Sequence, residues 1–410
     1  MAIPGGSPVS IDRMSDGDPA ENPFENLPMF GDLARALSGQ GPLNWDAAKQ
    51  FAQLAATDGA AEQNVDPTIR FALADLSRIA ELHVRDITGQ DVSGYTIDTT
   101  SPGLWAQHTL EAYKPLFTEL AESLSKKSPS TNDEVEPAYS DPMAAMMRGL
   151  SEMMAPAMLG MAIGSMVGRL AKRAFGQYDL PIPRTATNHL SLLPGAIDAF
   201  ADDWSLPRDS MRLWVLVQEL TTHAVFSVAH VRDGLSALVR AHVGAFQADP
   251  NAVAEKLSSL EFGSDDPMQA LQQTLGDPEI LLGAVRSPAQ KALQPLLDAA
   301  LSAVVGYVDH VVDTVASRLI GGDADRITEA VRRRRIEASP EDVFVERLLG
   351  LHLNREQVER GRAFIAGVHE RGGNSATNLL LEHVGPLPTP AELAAPGLWL
   401  ARLDLPLDEA

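Results

Sequence analysis

The chain has 410 residues, 33 Lys and Arg against 55 Asp and Glu, a formal charge of −22 and no cysteine. At roughly 100 to 200 residues per domain this length allows two or three domains or one elaborate one, and 45% hydrophobic residues supply a real core, which excludes wholesale disorder. The charge disfavours nucleic acid and anionic lipid as partners; the missing cysteines exclude disulfides, iron–sulfur clusters and thiol nucleophiles, so any metal would rest on His and carboxylates.

The first thirty residues carry Asp12, Asp16, Asp18, Glu21 and Glu25 and no apolar core of a leader, so no signal peptide is readable and a cytoplasmic location is expected. Residues 1–43 read as an acidic irregular segment and 44–126 as a helical block. In that block Asn44 looks like an N-cap, Asp66 and Pro67 open a second helix with Ile69, Leu73, Leu76, Ile79 and Leu82 as its apolar positions and Gly89 just past its end, and Ser101-Pro102 opens a third. Residues 127–142 read as a polar linker, 143–385 as the helical core and 386–410 as a Pro-rich irregular tail.

The core begins with a Met-rich helix in which Gly160, Gly164 and Gly168 share one face, a spacing that lets another helix approach closely. Its longest uncharged apolar stretch, Met153 to Gly168, would span about 24 Å against a bilayer core of ~30 Å, so no membrane span is expected. Residues 180–196, with Leu180-Pro181-Ile182-Pro183 and His189-Leu190-Ser191-Leu192, form the single plausible β element. A helix follows Pro207, and more are expected at about 250–262, 267–275, 278–319 with a break near Pro288, 324–336, 340–350, 354–371 and 374–384. The fold class is therefore mainly α with a minor β element.

The stretch Gln218-Glu219-Leu220-Thr221-Thr222-His223 carries the functional question. A zincin needs His-Glu-x-x-His on a helix, because histidines at i and i+4 share a face while the Glu activates the bound water. With Glu219 as that Glu, the two histidine positions hold Gln218 and Thr222, and His223 is displaced by one residue, about 100° around the helix. Glu219 and His223, themselves i and i+4, could form a rearranged carboxylate–imidazole pair, or a structural hydrogen bond. Asp309 and Asp313 flank His310 and could face a cation, or solvent. Arg332, Arg333, Arg334 and Arg335 form a basic stripe that could receive an anion or acidic partner, or pair with nearby glutamates such as Glu329. No Walker, dinucleotide or nucleophile-elbow motif is present.

The segments Asn22-Pro23-Phe24, Met29-Phe30-Gly31-Asp32-Leu33, Gly41-Pro42-Leu43-Asn44-Trp45, Phe175-Gly176-Gln177-Tyr178-Asp179-Leu180-Pro181, Asp203-Trp204-Ser205-Leu206-Pro207, Gly306-Tyr307-Val308-Asp309-His310-Val311 and the arginine run resemble those of the actinobacterial zincin-like hydrolases, also described as zinc-dependent metalloproteases. The resemblance implies a zincin-like multi-helical fold and, in members with an intact site, a zinc held by the two motif histidines and a later carboxylate. The matching positions here are Gln218, Thr222 and Val305, so the motif is degenerate and only Glu219 remains. The expectation is an inactive zincin-like protein that binds a protein or peptide partner and needs no cofactor. The alternative is an active zinc hydrolase with Glu219 as general base and His223 as a ligand.

Overall fold

A computed structural model describes residues 41–125, 142–248, 284–337 and 344–405, apart from 63, 186, 286 and 352. The helices expected at 250–262 and 267–275, most of the N-terminal segment and nearly all of the linker lie outside the described residues.

Local signals set the first helices. Helix α1 (Trp45–Thr57) starts where the Asn44 side chain accepts the Ala47 N–H and ends at Asp58 in the left-handed region. Helix α2 (Pro67–Thr88) starts where Asp66 accepts the Thr68 N–H and stops at Gly89, whose φ of 68° suits glycine. Its buried stripe is Leu73, Ser77, Ala80, Val84 and Ile87, while Ile79 and Leu82 are exposed. The expected apolar stripe thus departs from the buried face at Ile79 and Leu82, where Ser77 and Ala80 are buried instead.

After strand β1 (Thr96–Thr99), α3 (Pro102–Ala112) and α4 (Lys114–Ser125), the long helix α5 (Pro142–Arg173) packs against α1. The glycine row makes this contact. A Cβ on Gly160, Gly164 or Gly168 would overlap the backbone carbonyls of Asn44, Ala48 and Ala52 in turn, so the row serves a contact within the chain. The stretch Met153–Arg173 is longer than the uncharged run alone, and it and the later helix Pro288–Leu319 are long and apolar enough to cross a membrane by length and composition. The second of these is mostly enclosed by protein.

Strand β2 (His189–Leu192) pairs in parallel with β1, Thr96 opposite His189 and Thr99 opposite Leu192. The β element expected around 180–196 therefore narrows to four residues with a partner far upstream. Helix α6 (Pro194–Asp203) leads into α7 (Arg208–Ser227), along which nearly every residue from Met211 to Phe226 is buried. Helices α8 (Ala229–Gly244) and α9 (Pro288–Leu319) flank it. Helix α9 starts in a capping box of Ser287 and Gln290, so the break expected near Pro288 is its first turn. The described residues before it, Ala284 and Val285, are not helical as expected but pair antiparallel with Gln247 and Ala248 in a second small β element.

Helix α10 (Ala324–Ile336), α11 (Phe344–Leu348) and α12 (Arg355–Glu382) complete the core. Helices α9 and α12 cross at Gly306 and Gly361, where a Cβ on Gly361 would overlap the Ser302 carbonyl oxygen and one on Gly306 would lie within about 2.5 Å of the Gly361 backbone. The expected irregular tail instead forms α13 (Pro390–Ala394) and α14 (Pro396–Leu403), with Trp399 buried 5.4 Å from the Phe364 ring. One continuous cluster of buried side chains runs from Leu43 to Trp399. The fold is mainly α.

Candidate functional site

Gln218, Thr222 and Phe226, spaced by four on α7, look into a cavity of about 100 Å³. Val305, Val308 and Asp309 of α9 form the facing wall, with Arg334 and Arg335 of α10, Arg173 at the end of α5, Glu346 of α11 and the loop residues Tyr178 and Asp179 around them. Gln218, Thr222 and Val305 thus line a common cavity.

Glu219, one residue along the helix, turns elsewhere. Its carboxylate lies under the loop of Phe175 to Asp179, where Oε2 accepts the Tyr178 N–H at 3.0 Å and Oε1 has no hydrogen-bond partner. Gly176 covers it so closely that a Cβ there would lie 2.7 Å from Glu219 Cγ. The side chain is fully buried, and loss of hydration pushes its pKa up to about 8 despite the Tyr178 N–H. At neutral pH this carboxyl is largely protonated.

His223 follows the same loop. Its Nδ1 pairs with the Tyr178 hydroxyl at 2.8 Å, and its ring meets Tyr95 edge-on at 4.1 Å. Burial holds its pKa down to about 4, so it is neutral. The two expected partners therefore bond to Tyr178, one to its backbone and one to its hydroxyl, rather than to each other. Neither lines the cavity.

Each arginine of the stripe has an acidic neighbour within the molecule. Arg332 pairs with Asp313 at 2.6 Å, Arg333 with Glu329 at 2.9 Å and Arg335 with Asp309 at 3.4 Å. Arg334 stacks on the Phe175 ring at 3.7 Å and faces Asp179 at 3.8 Å; burial lowers its pKa to about 10, which leaves it charged. Asp309 and Asp313 both face arginines, and the His310 ring lies 5.1 Å from that of His369. Of the four arginines Arg333 is the exposed one. Arg173 pairs with Glu346 across the same cavity. Tyr178 and Asp179 stood in a segment already noted for its resemblance, whereas Arg173 and Glu346 carried no local signal.

Zinc is taken by imidazole, carboxylate or thiolate. The cavity offers instead the Gln218 amide, a Thr222 hydroxyl that already donates to the Gln218 carbonyl at 2.8 Å, and the Val305 isopropyl group. Its carboxylates, Asp179, Asp309 and Glu346, each face an arginine. Among the described residues no three His, Asp or Glu side chains stand together in a way that could hold a metal. These residues do not fit a three-ligand zinc.

The family model for zincin-like metallopeptidases matches residues 43–400. The chain belongs to the zincin-like metallopeptidase family. No curated protein matches it. A crystal structure from Chloroflexus aurantiacus, titled a "putative hydrolase with a novel fold", superposes with a TM-score of 0.61 at 22% identity, over 89% of this chain and 99% of that one. That likeness is one of fold.

Proposed function

We propose that the chain keeps the zincin-like architecture without the metal centre, and acts by binding a protein or peptide partner in the cleft where that centre would stand. The observation that carries this reading is the chemistry of Gln218, Thr222 and Val305 around their shared cavity, none of which is a competent zinc ligand there. The active alternative needs Glu219 beside a metal-bound water and His223 with a free ring nitrogen facing the metal. Glu219 instead lies beneath Gly176, and neither it nor His223 is among the residues that line the cavity.

Metal analysis of protein purified without chelator or metal-affinity resin tests the reading. The expected result is far less than one zinc per chain and no turnover of casein or a peptide pool. Near one zinc per chain, lost on His223→Ala, together with hydrolysis abolished by Glu219→Gln, would overturn it.

A further inference from the structure

Polar and apolar side chains both line the cavity. Four buried polar atoms on side chains that line it have no hydrogen-bond partner: Arg334 Nη2, Arg173 Nε, Gln218 Oε1 and Glu346 Oε2. Two are donors and two are acceptors. Unpartnered buried groups are costly and rare in folded proteins, so several around one cavity mark a place where a polar group is missing.

Charge narrows what that group is. Arg173, Arg334 and Arg335 face Glu346, Asp179 and Asp309 one to one, so the lining is balanced. A bare anion or cation entering it would shed its hydration without an unmatched counter-charge to receive it. A neutral group with an acceptor and a donor side by side answers both kinds of vacant atom. Volume narrows it further. A cavity of 150 Å³ holds a benzene ring, so about 100 Å³ admits roughly four or five non-hydrogen atoms. Val304, Val305 and Val308 give apolar surface against which a methyl or methylene would pack.

We propose that this cavity receives one uncharged amide group, its carbonyl turned to the Arg334 guanidinium and its N–H to the side chains of Gln218 and Glu346. The inference rests on the metal-free reading of the cleft and specifies the chemistry of its occupant: a carboxamide side chain or a backbone amide of the bound peptide. Arg334 is suited to the carbonyl because stacking on Phe175 fixes its plane.

The test uses the full chain with ¹³C-labelled valine methyls, titrated with acetamide, N-methylacetamide, acetate and ethylammonium. Both amides should shift a small set of valine signals saturably, with acetate and ethylammonium at least tenfold weaker. Arg334→Lys, which keeps the charge beside Asp179 but loses the planar fork, and Gln218→Leu should each weaken the amides at least fivefold while the other methyl signals stay in place. Acetate binding as well as the amides, or no saturable shift with any probe, overturns the proposal. Failure here in a zinc-free protein leaves the metal-free reading standing, whereas stoichiometric zinc overturns that reading by a separate measurement.

Discussion

Gly176 lies directly on the Glu219 carboxyl, at a separation that admits hydrogen and nothing larger. The contact couples the loop that carries Tyr178 to a fully buried acidic side chain of α7. Gly176→Ala should therefore destabilise by about 1–3 kcal/mol, the usual cost of overpacking. Adding Glu219→Ala empties the space the new methyl needs, so the double variant should lose less than the sum of the two single changes in urea unfolding. Strict additivity would mean that the two residues do not share this space.

The pH dependence of stability carries the signs of Glu219 and His223. Glu219 is raised from 4.5 to about 8, so its contribution is fully present below pH 4.5 and is lost as pH rises through 8. His223 is lowered from 6.5 to about 4, so its contribution is present above pH 6.5 and is lost as pH falls through 4. Between about pH 4.5 and 6.5 the two slopes oppose each other; above 6.5 Glu219 acts alone and should cost about 2 kcal/mol by pH 8. Thermal unfolding across pH 5 to 8 should show that decline in the native chain and a flatter profile in Glu219→Gln. An unchanged slope in the variant would assign the decline to other groups.

Arg334 and Asp179 form a buried pair in which each side chain keeps the other from standing alone. Arg334→Ala leaves a carboxylate that is only 9% exposed without its counter-ion, and should destabilise by roughly 3 kcal/mol or more. Asp179→Asn added to it removes the orphaned charge while an amide oxygen can still accept the Phe175 N–H at 3.1 Å. Denaturation midpoints should show the double variant recovering part of the loss.

The crossing of α9 and α12 is set by Gly361, whose Cβ would overlap the Ser302 carbonyl oxygen and lie 2.9 Å from its carbon. Gly361→Ala must push two helix backbones apart, at a cost of about 1–3 kcal/mol or more. Gly195, inside α6 with open space around it, is the control: Gly195→Ala should be neutral or stabilising by up to about 1 kcal/mol through helix propensity. Calorimetric midpoints that moved alike for the two would place the crossing elsewhere.

What the sequence makes legible is local chemistry. Asn44, Asp66 and Ser101 cap helices as their side chains suggest, and Pro102 sits in a first turn. The short tail helix was also available to reading, since Thr389 and Glu392 around Pro390 form a capping box, but the density of prolines masked it. Strand β1 was not legible, because four residues with two threonines and an aspartate lack the alternation that marks a strand, and its partner is remote in sequence. The candidate site divides the same way. Gln218 and Thr222 share a face through helical spacing alone, whereas the pairing of Arg173 with Glu346 depends on two helices distant in sequence meeting and leaves no trace in either local sequence.

The partners of the N-terminal helices come late in the chain. Helix α1 is covered by the glycine face of α5, and β1 waits for β2, roughly a hundred residues downstream at a synthesis rate of ~5–20 residues per second. For several seconds of each round of translation, residues 45–125 are therefore outside the ribosome with their small-residue face and strand edge bare. That face and edge can be covered natively only once Gly160 to Leu192 have emerged.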